Sequence, residues 1–440
     1  MPGQHPRIAL VVGSLCLLLG AGLPTAPVRD AAGDAGGRGY DLPLEPARTV
    51  EFSTDEGTWM SVDVSPAGDT LVFDLLGDLY TLPLEGGEAT PLTEGMAMDR
   101  QPRYSPDGGR IVFVSDRGGS DEVWVMDADG GDPRALTEGD DGPYVSPVWT
   151  PDGDWVLVSR QQRRLWKPWL YHVEGGSGVE LIAAEEHEEL NAVGPSPTPD
   201  GRRVWFAHKE GGFAGYNMTL PQWHLGVYDR ETGELVSQSD LRGSGMRPVV
   251  SPDGRWLAYG TRHDSLTGLR LRDLETGDDE WLVYPVTRDD QESFSAVDLL
   301  PGYAFLPDSS ALVVTFEGKL WRVAVPDGEL APIPFSAAVV RELGPELDFQ
   351  RTLQQGPVVA RQIRDPRLSP DGSRLAFTAF DMVWVKKHPD GEALRPAPMP
   401  DAAQAHPAWS PDGEWIAFVS WSDRRGGHVW RTRADGTGDP

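Results

Sequence analysis

Cysteine is almost missing from these 440 residues; Cys16 stands alone. No disulfide staples the fold, so the chain depends on a core large enough to stand without one. Lysine is nearly as scarce, with five residues (Lys167, Lys209, Lys319, Lys386, Lys387), and arginine carries almost all of the positive charge. Basic residues are outnumbered, 39 Lys and Arg against 68 Asp and Glu, for a net charge of −29. A field of that sign repels nucleic acid and accommodates a cationic partner more easily than an anionic one. The nine histidines never form a His-x-His pair. The acidic run Glu185-Glu-His-Glu-Glu189 is not HExxH, because Asn191 occupies the place of the second histidine. No Gly-rich phosphate loop is present, and Gly175-Gly-Ser-Gly-Val179 and Gly243-Ser-Gly245 both miss the Gly-x-Ser-x-Gly spacing of a nucleophile elbow. The sequence therefore offers no catalytic residue, no metal ligand set and no cofactor.

The N-terminus reads as an export segment. Arg7 precedes an apolar run from Ile8 to Leu23, with small residues near Ala26. Residues 1–26 are expected to be a signal peptide or, since Pro27 makes a poor cleavage site, an N-terminal anchor. Residues 27–47, rich in Gly, Ala and Pro, read as a flexible linker. The expected location is outside the cytoplasm, periplasmic or extracellular.

What the chain does have is a repeat. A Ser or Thr (once Leu) followed by Pro-Asp-Gly or a near copy begins at Ser65, Ser105, Thr150, Thr198, Ser251, Leu306, Ser369 and Ser410. The prolines are 40, 45, 48, 53, 55, 63 and 41 residues apart, a period that marks an array of one supersecondary unit. Each copy leads into runs of four to six residues rich in Val, Ile, Phe and Trp, bounded by Gly, Pro and Asp, as in Arg110-Ile-Val-Phe-Val-Ser115 and Glu122-Val-Trp-Val-Met126. These are strand signals, and Ser-Pro-Asp-Gly is a tight turn between strands. Asp127-Ala-Asp-Gly-Gly131 reads as a second turn rather than a calcium loop, since it lacks the bidentate Glu. About four antiparallel strands per repeat is the pattern of a β-propeller blade. The expected fold is all-β, a propeller of seven or eight four-stranded blades over residues 48–440, with the recurrent aromatic of each third strand packed between blades. The last unit stops at Asp435–Pro440, where its fourth strand is due. Either Arg48–Thr54 supplies that strand and latches the ring, or the last blade is truncated.

The acidic runs Glu185–Glu189, Asp278–Glu280 and Asp289–Asp290 read as solvated loops. A more informative position is the residue preceding the proline of the strand that enters each turn, expected to be innermost. Gln101, Ser146, Gly194, Arg247, Asp365 and His406 occupy it. Variation among polar types at an otherwise repetitive position suits a channel mouth that binds a protein, peptide or polymeric ligand; an empty water-filled pore is the plainer alternative.

The phrase Ser105-Pro-Asp-Gly108 … Ile111-Val-Phe-Val-Ser115 … Asp127-Ala-Asp-Gly-Gly131 … Leu136-Thr137 resembles the TolB-like propeller repeat, over about residues 48–440. Such blades also occur in tricorn-like and prolyl-oligopeptidase-type peptidases. The opening, Arg48 to Ser65 and then Phe73-Asp-Leu-Leu-Gly-Asp-Leu-Tyr80, resembles the start of large exported amidohydrolases with an N-terminal propeller. That resemblance implies a non-catalytic binding or gating module ahead of a metal-dependent hydrolase domain, whose histidines would lie beyond Pro440. A free-standing envelope scaffold and the propeller of a peptidase are the alternatives.

Overall fold

The computed structural model describes residues 45–138, 142–183, 187–211, 219–238, 242–293, 296–346 and 355–440. The export segment, most of the linker, and Glu185 and Glu186 of the acidic run lie outside these residues. Among the described residues every regular element is a strand, and no helix is long and apolar enough to cross a membrane.

The turns show why the repeat is written as it is. Ser105 Oγ donates to Asp107 Oδ1 at 2.5 Å and accepts the Arg110 N–H at 2.9 Å, while the Gly109 N–H reaches the same carboxylate oxygen at 3.0 Å. Gly108 sits at φ +73°, where a side chain would be strained. The hydroxyl–carboxylate pair recurs at Thr150–Asp152, Thr198–Asp200, Ser251–Asp253, Ser369–Asp371 and Ser410–Asp412. Leu306 has no hydroxyl, and Ser310 donates to Asp308 instead. Hydroxyl donation holds the carboxyls of Asp107, Asp152, Asp200 and Asp412 below the ordinary aspartate range.

The Leu-Thr phrase that closes the first two repeats has an equally local cause. Thr93 Oγ1 accepts the Leu79 N–H, and Thr137 Oγ1 the Val123 N–H, both at 2.9 Å. Each hydroxyl satisfies an amide of the third strand that the short fourth strand leaves uncovered. Thr137→Val keeps the shape and orphans that buried amide; a loss of about 1–3 kcal/mol is expected in urea denaturation.

Among the described residues, eight sheets correspond to the eight copies. The chain divides into two compact units, Met1–Glu346 and Leu347–Pro440. The first holds six blades, spanning residues 62–91, 100–135, 144–180, 190–238, 246–283 and 304–333, each built from strands paired in sequence order. Apolar clusters fill the interfaces between blades. Val72 and Leu79 meet Ile111 and Trp124 between blades 1 and 2, and Val114 and Val123 meet Val156 and Tyr171 between blades 2 and 3. Leu157 packs on Phe206, Trp205 on Leu257 and Tyr259, and Met246 and Ala258 on Tyr303 and Leu312. The sixth blade returns to the first through Val62, Phe73, Val313 and Leu320. Aromatics of the third strands, Tyr80, Trp124 and Tyr171, are fully buried in these interfaces.

Arg48–Thr54 does form a strand, but not the one that completes the last sheet. It pairs antiparallel with Phe335–Leu343, which pairs in parallel with Gly87–Pro91 on the outer edge of blade 1. The longest interval between turn prolines, Pro307 to Pro370, contains this extra strand. Its alternation explains the placement. Phe335, Ala337 and Val339 are buried in the cluster shared by blades 6 and 1, while Ser336, Ala338 and Val340 face out. The last sheet has three strands, Ala403–Trp409, Trp415–Ser422 and Gly426–Arg433.

The second unit repeats the blade contact within itself. Trp409 Nε1 donates to Arg367 O at 2.9 Å with Arg374 over its ring, as Trp149 Nε1 donates to Arg103 O at 3.1 Å under Arg110. Ala376 and Val383 of one sheet pack on Ile416 and Phe418 of the other.

A candidate binding channel

The residue before each recurring proline lies at a break in pairing between the first and second strands. The register shifts between Arg100 and Arg103, Val145 and Val148, Val193 and Ser196, and Met246 and Val249. The same shift occurs between Arg364 and Arg367 and between Ala405 and Ala408. Proline has no N–H for the ladder, so the strand bulges there. Gln101, Ser146, Gly194, Arg247, Asp365 and His406 all take positive φ, between 42° and 65°. The bulge turns the side chain out of the blade.

In the first unit the turned side chains meet. Ser146 Oγ and Arg247 Nη1 both donate to Asp298 Oδ2, and Arg247 Nη1 also reaches Ser146 Oγ at 2.8 Å. The Ser146 N–H donates to Gln101 Oε1 at 2.8 Å, and Gln101 Nε2 to Val297 O at 3.1 Å. A Cβ on Gly194 would stand 3.0 Å from Asp298 Oδ2, so this blade contributes no side chain. Asp298 comes from the connection between blades 5 and 6 and is fully buried, as are Gln101, Ser146 and Arg247 to within a few percent. These positions are not an open mouth. They form a floor, sealed by the segment that carries Val297 and Asp298.

Above the floor lies a cavity of about 400 Å³. Arg103, Ser146 and Arg247 line its base, and the turn prolines Pro66, Pro106 and Pro151 line its other end. Arg103 Nη1 donates to Asp63 Oδ1 at 3.0 Å, Tyr303 O at 3.1 Å and Val62 O at 3.3 Å. Burial pulls the Arg247 guanidinium below its usual pKa; Asp298 opposes this, and nearby Arg103 reinforces it.

Asp365 and His406 belong to the second unit and pair with each other, Nδ1 to Oδ2 at 3.1 Å. His406 is largely exposed, so this pair is not buried like the first four.

One participant carries no repeat signature. Asp74, on the second strand of blade 1, accepts the Ser61 and Gln101 N–H groups, both at 2.7 Å. Burial raises its carboxyl from 3.8 to about 6 despite those bonds. The folded state then holds a proton between these values that the unfolded chain has lost, so stability falls as pH rises through the window. The slope amounts to about 3 kcal/mol at full shift. Asp74→Asn is expected to remove that contribution from denaturation curves taken from pH 4 to 7 and to leave the one from Asp78.

Two acidic runs depart from the solvated loops expected of them. Asp289 is buried and bound bidentately with Glu292 to Arg262, and Thr267 Oγ1 also donates to it. Asp279 accepts Tyr259 Oη at 2.6 Å together with Arg270 and Arg272. The second and third strands of the same blade supply arginines to these carboxylates, which sequence adjacency does not show. Among the described residues, no group of three or more His, Cys, Asp and Glu is arranged to hold a metal ion.

Residues 56–216 match the model of the tricorn protease N-terminal β-propeller domain. Tricorn protease homolog 1 of Streptomyces coelicolor is 27% identical over 376 residues, 81% of this chain and 31% of that protein. An uncharacterised peptidase of Bacillus subtilis, YuxL, is 30% identical to the chain over 185 residues, 41% of this chain and 24% of the peptidase. The chain thus spans about a quarter to a third of the length of these two relatives. Among solved structures, tricorn protease superposes with a TM-score of 0.49 at 15% identity, over 86% of this chain and 35% of its own. TolB from Acinetobacter baumannii gives 0.39 at 17% identity, over 74% of this chain and 67% of its own. The matched residues 56–216 cover blades 1 to 3 and the start of blade 4, including Gln101, Ser146 and Gly194 of the floor.

Proposed function

We propose that the chain is the substrate-binding and gating propeller of an exported peptidase, holding an extended peptide in the channel of its first unit. The observation that carries this is the cavity itself, walled by six inner strands and closed at one end by a hydrogen-bonded floor. A tube with one sealed end admits a narrow, unfolded segment and excludes folded protein. Its volume of about 400 Å³ lies within the range of small-ligand pockets and suits a few residues of peptide. Both curated relatives described above are peptidases, which favours this setting over the amidohydrolase one suggested by the opening segment. Export rests on the apolar run from Ile8 to Leu23.

Fluorescence anisotropy of the full chain with a fluorescein-labelled, unstructured decapeptide tests the reading. Saturable binding with the peptide recovered intact is expected. Absence of binding, or cleavage of the peptide by the purified chain, overturns it.

A further inference from the structure

The seam between blades 4 and 5 is open on its outer side. A groove of about 1300 Å³ runs there, between the outer strand of blade 4, Leu235–Gln238, and the third strand of blade 5 with the turn that follows it. Its floor is one row across blade 4. Trp205 pairs with Val227 and Val227 with Val236, so all three side chains leave the same face of the sheet. The row runs from Trp205, 6% exposed and packed with Leu257 and Tyr259, out to Val236, which is 44% exposed. Leu274 faces the row from blade 5. The outer edge of Leu235–Gln238 pairs with no further strand among the described residues, whereas the same edge of blade 1 carries Phe335–Leu343. An outer edge in this fold thus accepts an added strand.

The rim of the groove is acidic. Asp200, Asp229, Glu234, Asp253, Asp273 and Glu275 line it, against the guanidiniums of Arg203, Arg255 and Arg272. Each arginine already has a carboxylate: Arg203 lies 3.6 Å from Asp229, Arg255 2.9 Å from Asp273, and Arg272 2.8 Å from Asp279. The excess negative charge therefore stays on Asp200, Glu234, Asp253 and Glu275, with Glu234 and Glu275 exposed on opposite walls. Past the groove, two residues beyond Asp279 on the same strand and face, Trp281 holds Arg270 over its ring at 5.1 Å. Tyr284 stands beside it, 5.2 Å between ring centroids, and both rings remain partly exposed. Carboxylates and aromatic faces are the groups that take lysine and arginine side chains.

We propose that the groove between blades 4 and 5 is a docking site for an extended, arginine- or lysine-rich segment of a partner protein. The segment lies along the outer strand of blade 4, with apolar side chains on the row from Trp205 to Val236 and cations on the rim. Charge complementarity selects this occupant: the excess at the groove has the sign of the whole chain, whose net charge of −29 steers a cationic partner toward it. The site is separate from the channel and does not depend on the channel reading.

Fluorescence anisotropy of the full chain compares three labelled octapeptide amides that alternate Arg with Val, Arg with Ser, and Glu with Val. An extended strand of alternating residues turns one set to the floor and the other to the rim. The Arg-Val peptide is expected to bind about tenfold more tightly than the Arg-Ser peptide, which has its charge but no apolar side chains, and the Glu-Val peptide not to bind. Glu234→Lys with Glu275→Lys reverses one carboxylate on each wall and is expected to weaken the Arg-Val peptide about tenfold. Glu85→Lys with Glu88→Lys makes the same change of charge on exposed residues of blade 1, and is expected to stay within about twofold of wild type. Should the groove variant fail to fold, Glu234→Gln with Glu275→Gln is expected to show a loss of about threefold. Equal losses in the two lysine variants, or equal binding of the Arg-Val and Arg-Ser peptides, would mean diffuse attraction to an acidic chain and overturns the groove. Displacement of the Arg-Val peptide by the unlabelled decapeptide that tests the channel places it in the channel, and overturns the groove too. Failure of the octapeptides to bind overturns the groove and leaves the channel reading standing.

Discussion

Asp298→Asn is expected to destabilise the first unit by about 3–5 kcal/mol, the cost of leaving a buried charge without its partner. Arg247 is 4% exposed, and among the described residues its ion-pair partner is Asp298. Asparagine is the informative replacement because Asp298 sits at φ +70°, a conformation that Asn tolerates and that bulkier residues resist. The change thus removes charge with little change of shape. Replacing both members, as in Arg247→Met with Asp298→Asn, is expected to recover most of the loss, since an apolar side chain needs no counterion there. Urea denaturation of the wild type and both variants measures this. A single variant within about 1 kcal/mol of wild type, the usual range for a surface substitution, would mean that the floor is wet and its ion pair incidental.

Arg341→Met is expected to cost about 3 kcal/mol, and more at pH 8 than at pH 5. Arg341 lies on the extra strand Phe335–Leu343 and reaches into blade 1, donating to Asp78 at 2.8 Å and to the carbonyls of Gly77, Met96 and Ala97. It ties the strand that leaves blade 6 to the hairpin between the second and third strands of blade 1. Asp78 is 1% exposed, and burial raises its carboxyl to about 7 even with the arginine beside it; Asp99 and Glu94 push in the same direction. A carboxyl raised in the folded state loses stability as pH climbs through that value. Without Arg341 the ionised form has no cation, so the loss concentrates above neutrality. Denaturation at pH 5 and pH 8 separates this from simple loss of strand contacts, which would be equal at both.

The repeat made the blades legible because their cause is local. Pro106 presets a turn, Gly108 fills a positive-φ position, and Ser105 with Asp107 closes it by hydrogen bonds within five residues. The strand alternation around each turn did the rest. Ring closure was not legible in the same way. Arg48–Thr54 had the look of a fourth strand, but its partner, Phe335–Leu343, lies nearly 300 residues away and belongs to no repeat. The length of the interval from Pro307 to Pro370 was the available sign that extra structure sits there.

The channel floor was half legible. The position before each proline identified Gln101, Ser146 and Arg247, because a bulge recurs with the repeat. The residues that bind them together break the pattern. Asp74 is a lone charge in the apolar second strand Thr70–Leu75, which marks it as a group with partners elsewhere. Asp298 lies in the long connection between Val283 and Ala304, which carries no repeat phrase at all. Asp289 shows the converse. Adjacent acids suggested a solvated loop, and only the fold reveals that Arg262 from the preceding hairpin buries one of them.

Hydrogen–deuterium exchange of the full chain, with and without a saturating unstructured decapeptide, tests the central claim most directly. Slowed exchange confined to the inner strands of blades 2 to 5, Arg100–Tyr104, Tyr144–Trp149, Leu190–Pro197 and Met246–Val250, is the result predicted. Protection confined to the second unit or to the outer strands, with the inner strands unchanged, would contradict it.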